Sequence, residues 1–453
     1  MDSIVPELAG GFRDYLPKEM IPRQKMLEKI KEVFERFGFV PLDTPGIEKT
    51  DVLLGGEKES DKMLFRVRKA TRSEEGMEDV GKDDLSLRFD LTVPLARVVA
   101  QYPNEIKKPF KRYQFGRVWR GERQQAGRFR EFTQLDADIV GSADLLADAE
   151  IVALMDATMR AVGFGDGSFL IRVSNRKVLN GLAVYAGFPE TLTPTVLRAI
   201  DKLGKSEWDA VAAELAGAVQ LPTGAIEKLR TFVEVCQAPT FVLDDARRLL
   251  ASSPQAEEGI RELAEIAACL NAFGVPPDAW KIDLSVARGL GYYTGTVFET
   301  TLTALPNIGS VISGGRYDGL VARFGAQPVP ATGTSVGVDR LFVAMRELGM
   351  IIEQSLTAKV IVLNFAPEAR KVCAKVTGEL RRVGIATDLY LGNEGNFKGQ
   401  LAYAVAQEYL IVVIIGKDEV ARQVAQVKDL ARRTQEEVPL ELVEGAVERL
   451  IGV

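Results

Sequence analysis

Histidine is absent from all 453 residues of this chain, which nevertheless carries 57 lysine and arginine residues and 63 aspartate and glutamate residues. Without an imidazole, the chain has no histidine general base, no histidine metal ligand and no Ser-His or Cys-His nucleophile pair. If the protein is an enzyme, it must therefore act by binding, orientation and fixed charge.

Cysteine and long apolar runs are also scarce. Cys236, Cys269 and Cys373 are far apart and lack metal-ligand spacing, which indicates a reducing compartment and argues against a zinc or disulfide framework. The strongest apolar run, residues 410–416, is too short to span a bilayer and is typical of a buried strand. The first residues show no basic-then-apolar targeting signal. We therefore expect a cytoplasmic protein without a membrane segment.

The net charge of −6 is mild and creates no overall field that would attract nucleic acid, so any RNA contact must be local. A chain of 453 residues is too long for one ordinary core, so two or three domains are expected.

Periodicity divides the chain into three parts. Residues 1–176 and 278–350 mix strand and helix patterns, with a helix predicted over 334–349, and form one predicted core. Residues 177–277 contain successive helical patterns and predict a helical insertion. Residues 358–453 alternate strand and helix, which predicts a small α/β domain with a largely parallel core.

The stretch "YQFGRVWRGERQQAGRFREFTQLDADIVG", residues 113–141, predicts a hairpin with a loop near residues 123–127. Since side chains alternate along a strand, the even positions of both strands are expected to share one polar face. That predicted face contains Gln114, Arg120, Glu122, Arg128, Arg130, Phe132, Gln134, Asp136 and Asp138. Arginine forks suit phosphate oxygens, and an aromatic ring can stack on a purine. We favour a ligand site here over the alternative of a solvated edge hairpin.

Three motifs resemble those of class II aminoacyl-tRNA synthetases, in the same order. "DTPGIEK", with Pro45, resembles motif 1, which forms the dimer interface in that family. "RVWRGERQQAGRFREFTQ" resembles motif 2, and "TSVGVDRLFVAM", with Arg340, resembles motif 3. "ARGLGYYTGTVFE" at 287–299 and "GGRYDGL" at 314–320 are similar to the two histidine-specific motifs of the histidyl-tRNA synthetase family.

This resemblance covers nearly the whole chain and implies a fold. It implies an α+β class II synthetase core, an antiparallel sheet flanked by helices, with a helical insertion and a C-terminal α/β anticodon-binding domain. The implied partners are L-histidine and tRNA(His), the implied cofactors are ATP and Mg²⁺, and the implied assembly is a homodimer. No residue is assigned as a metal ligand.

The resemblance also implies roles for individual residues. Arg120 and Arg288 are the implied catalytic residues, both near the α-phosphate. The implied ATP-binding residues are Arg120, Glu122, Arg128, Phe132 and Arg340. The implied histidine-binding residues are Asp90, Thr92, Gln134, Asp138, Arg288, Tyr292, Tyr293 and Tyr317. Glu122 lies either near the adenine edge or near a metal, and the sequence leaves both open.

Two other functions compete with a histidine–tRNA ligase. A non-catalytic, synthetase-like regulatory subunit of ATP phosphoribosyltransferase would share the core, but such proteins generally lack the tail domain and have eroded motifs. A class II synthetase for threonine, proline or glycine would share the tail, but "RGLGYYTG" and "GGRYDGL" argue against it.

Overall fold

The computed structural model describes residues 4–55, 64–68, 84–121, 129–204, 207–238, 241–286, 292–325 and 327–452. The chain divides into two compact units. The first contains Met1–Arg13 and Met26–Met350, and the second contains Asp14–Lys25 and Ile351–Val453.

The helices of the two units are numbered in chain order. They are α1 Pro17–Arg36, α2 Thr50–Leu54, α3 Thr92–Gln101, α4 Leu145–Ala161, α5 Arg176–Asn180, α6 Leu182–Ala186, α7 Thr193–Ile200, α8 Trp208–Gly217, α9 Thr223–Gln237, α10 Leu243–Leu249, α11 Pro254–Ala272, α12 Val338–Glu347, α13 Arg370–Arg382, α14 Phe397–Ala406, α15 Lys417–Arg422 and α16 Val443–Ile451. No helix among the described residues is both long enough and apolar enough to cross a membrane.

The strands are numbered in the same way. They are β1 Val40–Pro41, β2 Ile47–Lys49, β3 Arg66–Val67, β4 Leu85–Leu87, β5 Phe110–Trp119, β6 Glu131–Val140, β7 Phe169–Asn175, β8 Trp280–Ile282, β9 Thr296–Leu302, β10 Ile312–Arg316, β11 Ala331–Gly337, β12 Val360–Val362, β13 Thr387–Leu389, β14 Ile411–Ile414, β15 Val424–Asp429 and β16 Thr434–Pro439.

An eight-stranded sheet in the order β1-β5-β6-β11-β10-β9-β7-β8 organises the first unit. Its central pairings are antiparallel, whereas β1 with β5 and β7 with β8 are parallel pairs at the two edges. β6 lies between β5 and β11, and all its residues from 133 to 140 are buried. A charged side chain on this strand is therefore shielded from bulk water, and its burial is costly unless a neighbouring group compensates the charge.

The segment between β7 and β8 is helical and contains α5 to α11. Its helices begin at recognisable signals. Asn175 caps α5 by accepting from the Lys177 N–H at 2.9 Å, and Ser253 caps α11, whose first residue is Pro254. The exact limits predicted for the insertion, 177–277, remain a prediction.

The second unit contains a five-stranded sheet in the order β13-β12-β14-β15-β16. β12 and β14 are buried throughout, as expected of central strands covered on both faces. Alternate residues of β12 enter different apolar clusters: Val360 and Val362 join one, and Ile361 joins the other.

Two sequence predictions about these elements were wrong. The C-terminal sheet is not largely parallel, because β15 pairs antiparallel with both β14 and β16. The helix predicted over residues 334–349 begins only at Val338, since residues 331–337 pair with β6 and β10.

Candidate active site

The β5–β6 hairpin has the register that strand alternation requires for one shared polar face. Val118 pairs with Phe132, Gly116 with Gln134, Gln114 with Asp136, and Arg112 with Asp138. Even positions thus face even positions, as the sequence predicts. The loop residues 122–128 lie outside the described part of the chain.

A cavity of about 470 Å³ opens over this face, within the first unit. Its wall comes from β6, β10, β11, the start of α3, the start of α12 and the segment before β9. The structure brings together in this wall the predicted residues Asp90, Thr92, Arg120, Phe132, Gln134, Asp138, Tyr292, Tyr293, Tyr317 and Arg340. Glu122, Arg128 and Arg288 lie outside the described residues.

One end of the cavity is built around Asp138, which is 2% exposed. The Tyr317 hydroxyl donates a hydrogen bond to Asp138 Oδ1, and Arg112 Nη2 lies 2.8 Å from Oδ2. Burial raises the pKa of Asp138, while the charge of Arg112 and the Tyr317 hydrogen bond act in the opposite direction. Gly333 lies opposite Asp138 on β11, and a Cβ there would lie 2.0 Å from Asp138 Oδ1. The carboxylate therefore occupies space that only a glycine leaves open.

Three tyrosines enclose this end. The Tyr292 ring lies edge-on to Tyr293 at 5.1 Å and to Tyr317 at 5.9 Å between centroids. Such edge-to-face geometry is the favoured arrangement of aromatic pairs. Burial raises the pKa of all three phenols, so each keeps its proton and can donate it in a hydrogen bond.

Uncompensated polar oxygens mark the middle of the cavity. Asp90 Oδ1 accepts from the Val93 N–H at 3.1 Å, near the start of α3, and Gln134 Nε2 donates to the Ser335 hydroxyl at 2.7 Å. The other oxygens of these two side chains, together with Asp136 Oδ1, are buried without a hydrogen-bond partner among the described residues. Buried acceptors of this kind are costly unless a ligand donates to them.

Burial also brings these acids into the neutral range. It raises the pKa of Asp90 to about 6, against the opposing Val93 hydrogen bond and the charge of Arg120. It raises the pKa of Asp136 to about 7, against the opposing charge of Arg112. A hydrogen-bond donor would stabilise these buried acceptor oxygens, and a positively charged donor would stabilise them most. A primary ammonium group is such a donor.

The other end of the cavity combines cations with an aromatic ring. The Arg120 guanidinium lies 5.0 Å from the centroid of the Phe132 ring, and its Nε donates to the Phe89 carbonyl at 3.1 Å. Arg340 projects from the first turn of α12, and its Nη1 donates to the Ser310 carbonyl at 2.5 Å. This end can hold a planar ring and an anion.

The helix that carries Arg340 is fixed to the hairpin by its neighbouring residue. Asp339 Oδ2 accepts from the backbone N–H of Thr133 at 2.7 Å, and both groups are buried. The motif 3 segment and the motif 2 segment are therefore joined directly beside the cavity.

Sequence reasoning did not single out Arg112 and Asp136, which both belong to this charge cluster. Asp136 was already on the predicted polar face, since its even position places it on the same side of the strand as Gln134 and Asp138. Arg112 precedes the motif that drew attention, and only the hairpin register reveals that it lies opposite Asp138.

Comparison with known proteins gives a consistent family. The sequence model of the histidyl-tRNA synthetase family matches residues 11–341, and that of the anticodon binding domain matches residues 358–450. Two proteins named histidine–tRNA ligase are each 40% identical to the chain. That from Rhodopirellula baltica aligns over 443 residues, 96% of either chain, and that from Clostridium tetani over 445 residues, 97% of either chain.

Solved structures agree with the sequence relatives. The histidyl-tRNA synthetase from a Nostoc species is 33% identical, has a TM-score of 0.85 and covers 99% of this chain and 100% of its own. An ATP phosphoribosyltransferase regulatory subunit/histidyl-tRNA synthetase from Bacillus halodurans is 23% identical, with a TM-score of 0.74, and covers 92% of this chain and 99% of its own. The latter likeness shows the shared fold alone. The motif-based prediction of fold and family is confirmed: the chain is an aminoacyl-tRNA synthetase that belongs to the histidyl-tRNA synthetase family.

Proposed function

We propose that this chain is a histidine–tRNA ligase, which converts L-histidine and ATP into histidyl-adenylate and pyrophosphate. It then transfers the histidyl group to the terminal adenosine of tRNA(His) and releases AMP. The observation that carries the proposal is one cavity with two chemically different ends. Asp138 and the tyrosines line one end, which is proposed to bind the histidine ring, and Arg120, Phe132 and Arg340 line the other, which is proposed to bind the phosphates and the adenine.

The first end matches a histidine side chain. A neutral imidazole has one N–H and one lone pair, which a carboxylate and a phenol hydroxyl can satisfy. Asp138 is the proposed acceptor, and Tyr292, Tyr293 and Tyr317 enclose the ring. A buried polar site of this kind rejects side chains that would leave its groups unpaired.

The α-amino group is proposed to bind in the middle of the cavity. Asp90, Asp136 and Gln134 present buried oxygens that have no hydrogen-bond partner among the described residues. Thr92, which begins α3 beside Asp90, is proposed to support the same group. An ammonium has three N–H donors, so it suits such a set of acceptors.

ATP is proposed to bind at the other end. Phe132 and Arg340 would hold the adenine between them, and Arg120 would contact the α-phosphate. Three further roles are supported by the family resemblance alone. They are Arg128 at the γ-phosphate, Glu122 near the adenine or a metal, and Arg288 across the α-phosphate and the substrate carboxylate.

The proposed chemistry explains how an enzyme without histidine works. The nucleophile in the first step is the substrate carboxylate, which is already ionised, so no side chain has to remove a proton. Negative charge that develops on the phosphate is stabilised by fixed arginine charge. Mg²⁺ supplies further charge neutralisation when it binds with ATP. No cluster of three potential metal-ligating side chains occurs within the described ranges, and Mg²⁺ typically uses one or two carboxylates together with substrate phosphates.

The remaining proposals concern partners and organisation. The segment that matches the anticodon binding domain, residues 358–450, is proposed to contact tRNA(His). Homodimer formation is supported by apolar side chains around the motif 1 segment: Val40, Ile47 and Phe115 are 49%, 44% and 38% exposed. The domain limits 1–176 with 278–350, 177–277 and 358–453 are proposed as stated, and the substrates ATP and tRNA favour a cytoplasmic location.

ATP–pyrophosphate exchange with each of the twenty amino acids tests the proposal. Exchange supported by histidine alone is expected. Exchange with no amino acid would favour the regulatory paralogue instead, and exchange with another amino acid would refute the substrate assignment. Arg120→Ala should abolish exchange, whereas Arg117→Ala, three residues earlier in the chain but 67% exposed at its side chain, should leave it intact.

A further inference from the structure

Arg112 is the least expected charged residue near the cavity. It is fully buried, at 0% exposure, yet it lies behind Asp138 and does not line the cavity. Its Nη2 lies 2.8 Å from Asp138 Oδ2 and 3.2 Å from the carbonyl oxygen of Leu91. Leu91 stands between Asp90 and Thr92, so one guanidinium connects the ring-binding carboxylate to the segment proposed to bind the amino group.

Arg112 offsets part of the negative charge in the half of the cavity that is proposed to bind histidine. Asp90, Asp136 and Asp138 are 1%, 2% and 2% exposed, and the charge of Arg112 lowers the pKa of each against the opposing effect of burial. A buried carboxylate without a compensating charge either takes up a proton or attracts a cation. The charge of Arg112 therefore determines whether Asp138 pairs with a neutral or with a cationic ligand.

We propose that Arg112 is a specificity-determining positioning residue whose charge offsets that of Asp138, so that the cavity accepts the neutral imidazole of histidine and excludes imidazolium. The inference rests on the proposed function. With the Arg112–Asp138 pair neutral overall, an imidazole N–H can donate to the carboxylate. An imidazolium would add a second cation near Arg112 and a second N–H that needs an acceptor.

The groups that face Asp138 from each packed element are consistent with this assignment. Arg112 faces it from β5 and Tyr317 from the residue after β10, and Asp136 is its neighbour on β6. Tyr293, in the segment before β9, also interacts with it electrostatically and keeps its proton because burial raises the pKa of its phenol. From β11 the facing residue is Gly333, which has no charge. Asp90 adds negative charge beside α3, where the substrate ammonium is proposed to bind. Arg112 is therefore the cation that is ion-paired with Asp138 among the described residues.

The test compares histidine with triazolylalanine, an analogue whose ring keeps an N–H but stays neutral between pH 6 and pH 8. Both carry the same α-ammonium, so the ratio of their KM values in ATP–pyrophosphate exchange isolates the ring. An unperturbed imidazole with a pKa near 6.5 loses about three quarters of its neutral form by pH 6. The ratio of the histidine KM to the analogue KM should therefore rise about fourfold from pH 8 to pH 6 in the unmodified protein.

Three variants identify the source of that rise. Arg112→Lys keeps the charge, so the ratio should rise as in the unmodified protein. In Arg112→Met the uncompensated Asp138 attracts imidazolium, so the ratio should fall. Arg316→Met, which removes another buried arginine that is paired with an aspartate, is the matched control and should keep the rise.

A second measurement does not depend on any variant folding. Because the chain contains no histidine, the ring signals of isotope-labelled histidine bound to the protein arise from the ligand alone. Their NMR titration should show a lower imidazole pKa in the bound than in the free amino acid. A raised bound pKa, or an Arg112→Met ratio that rises as in the unmodified protein, would overturn the inference. Failure of the proposed function is distinguishable, because histidine would then support no exchange at any pH.

Discussion

Substituting Gly333 by alanine tests whether Asp138 must stay where the structure holds it. Gly333 does not have a positive φ, so alanine is compatible with its backbone and only space is at issue. An added Cβ would lie 2.0 Å from Asp138 Oδ1, 2.6 Å from its Cγ and 2.8 Å from the carbonyl oxygen of Ala137. Since the backbone oxygen belongs to a paired central strand, the Asp138 carboxylate is the group that must move.

The size of the effect follows from this displacement. Ordinary carbon–oxygen contact requires the carboxylate to move by more than about 1 Å, and a misplacement of that size costs about 10²-fold in a positioned site. Losing one hydrogen bond to a charged group costs about 1.5–3 kcal/mol, which is roughly 10- to 150-fold in affinity. We therefore expect the KM for histidine to rise by about 10- to 100-fold, with overpacking costing about 1–3 kcal/mol of stability.

ATP–pyrophosphate exchange at varied histidine and ATP gives the two KM values, and thermal unfolding shows that the variant is folded. The KM for ATP should stay within about twofold, because Arg120, Phe132 and Arg340 lie at the other end of the cavity. Gly319→Ala is the matched control, since a Cβ at this exposed glycine meets nothing within 4 Å. An unchanged KM for histidine in Gly333→Ala, or equal rises for histidine and ATP, would refute the argument.

Three further outcomes are expected. Because burial raises the pKa values of Asp90 and Asp136 to about 6 and about 7, the folded protein holds protons that the unfolded chain releases. These two carboxyls should therefore contribute a fall in the free energy of unfolding of on the order of 1–3 kcal/mol between pH 4 and pH 7 in the ligand-free protein. Denaturant titrations of the unmodified protein and of Asp136→Asn at each pH measure this, and an equal pH dependence in the two would contradict it. Phe132→Ala should raise the KM for ATP roughly tenfold or more through lost stacking, while Phe132→Tyr should not, and steady-state exchange distinguishes them. Arg316→Met should cost about 3–5 kcal/mol of stability, because it leaves the fully buried Asp148 without its cation; chemical denaturation measures the loss, and a change below about 1 kcal/mol would count against it.

The polar face of the hairpin was predictable because strand alternation is a local rule. Once the loop near residues 123–127 defines one pair, every other pair follows, so Phe132, Gln134 and Asp138 were expected on one face and are found on one cavity wall. Arg112 was missed for a different reason. A single arginine early in a strand usually lies in solvent, and nothing in its local sequence indicates 0% exposure. Its burial depends on β6 being central, which is a property of the whole sheet.

The two wrong predictions of secondary structure also involve non-local pairing. Residues 334–337 precede a strongly helical pattern, but they belong to β11 because this segment pairs with β6 on one side and β10 on the other. β16 is an edge strand with the burial pattern of a mostly exposed segment, and its "TQEEVP" sequence lacks the apolar alternation that would reveal it. In both places the hydrogen bonds to a partner strand stabilise the extended conformation, which the local sequence does not predict.

Burial gives this protein carboxyl groups that titrate near neutral pH, although it has no histidine. The chain has no histidine, and therefore no side chain that ordinarily changes charge between pH 5 and pH 8. Asp90 and Asp136 acquire pKa values of about 6 and about 7 because they are desolvated beside the cavity. A bound ammonium group would lower both pKa values, and ionised carboxylates would in turn bind the ammonium more tightly, since linkage is reciprocal. With the triazole analogue, whose ring does not titrate between pH 6 and pH 8, the acid limb of exchange should therefore report these carboxylates. Asp136→Asn should shift that limb, whereas a substitution of the exposed Glu190 should not.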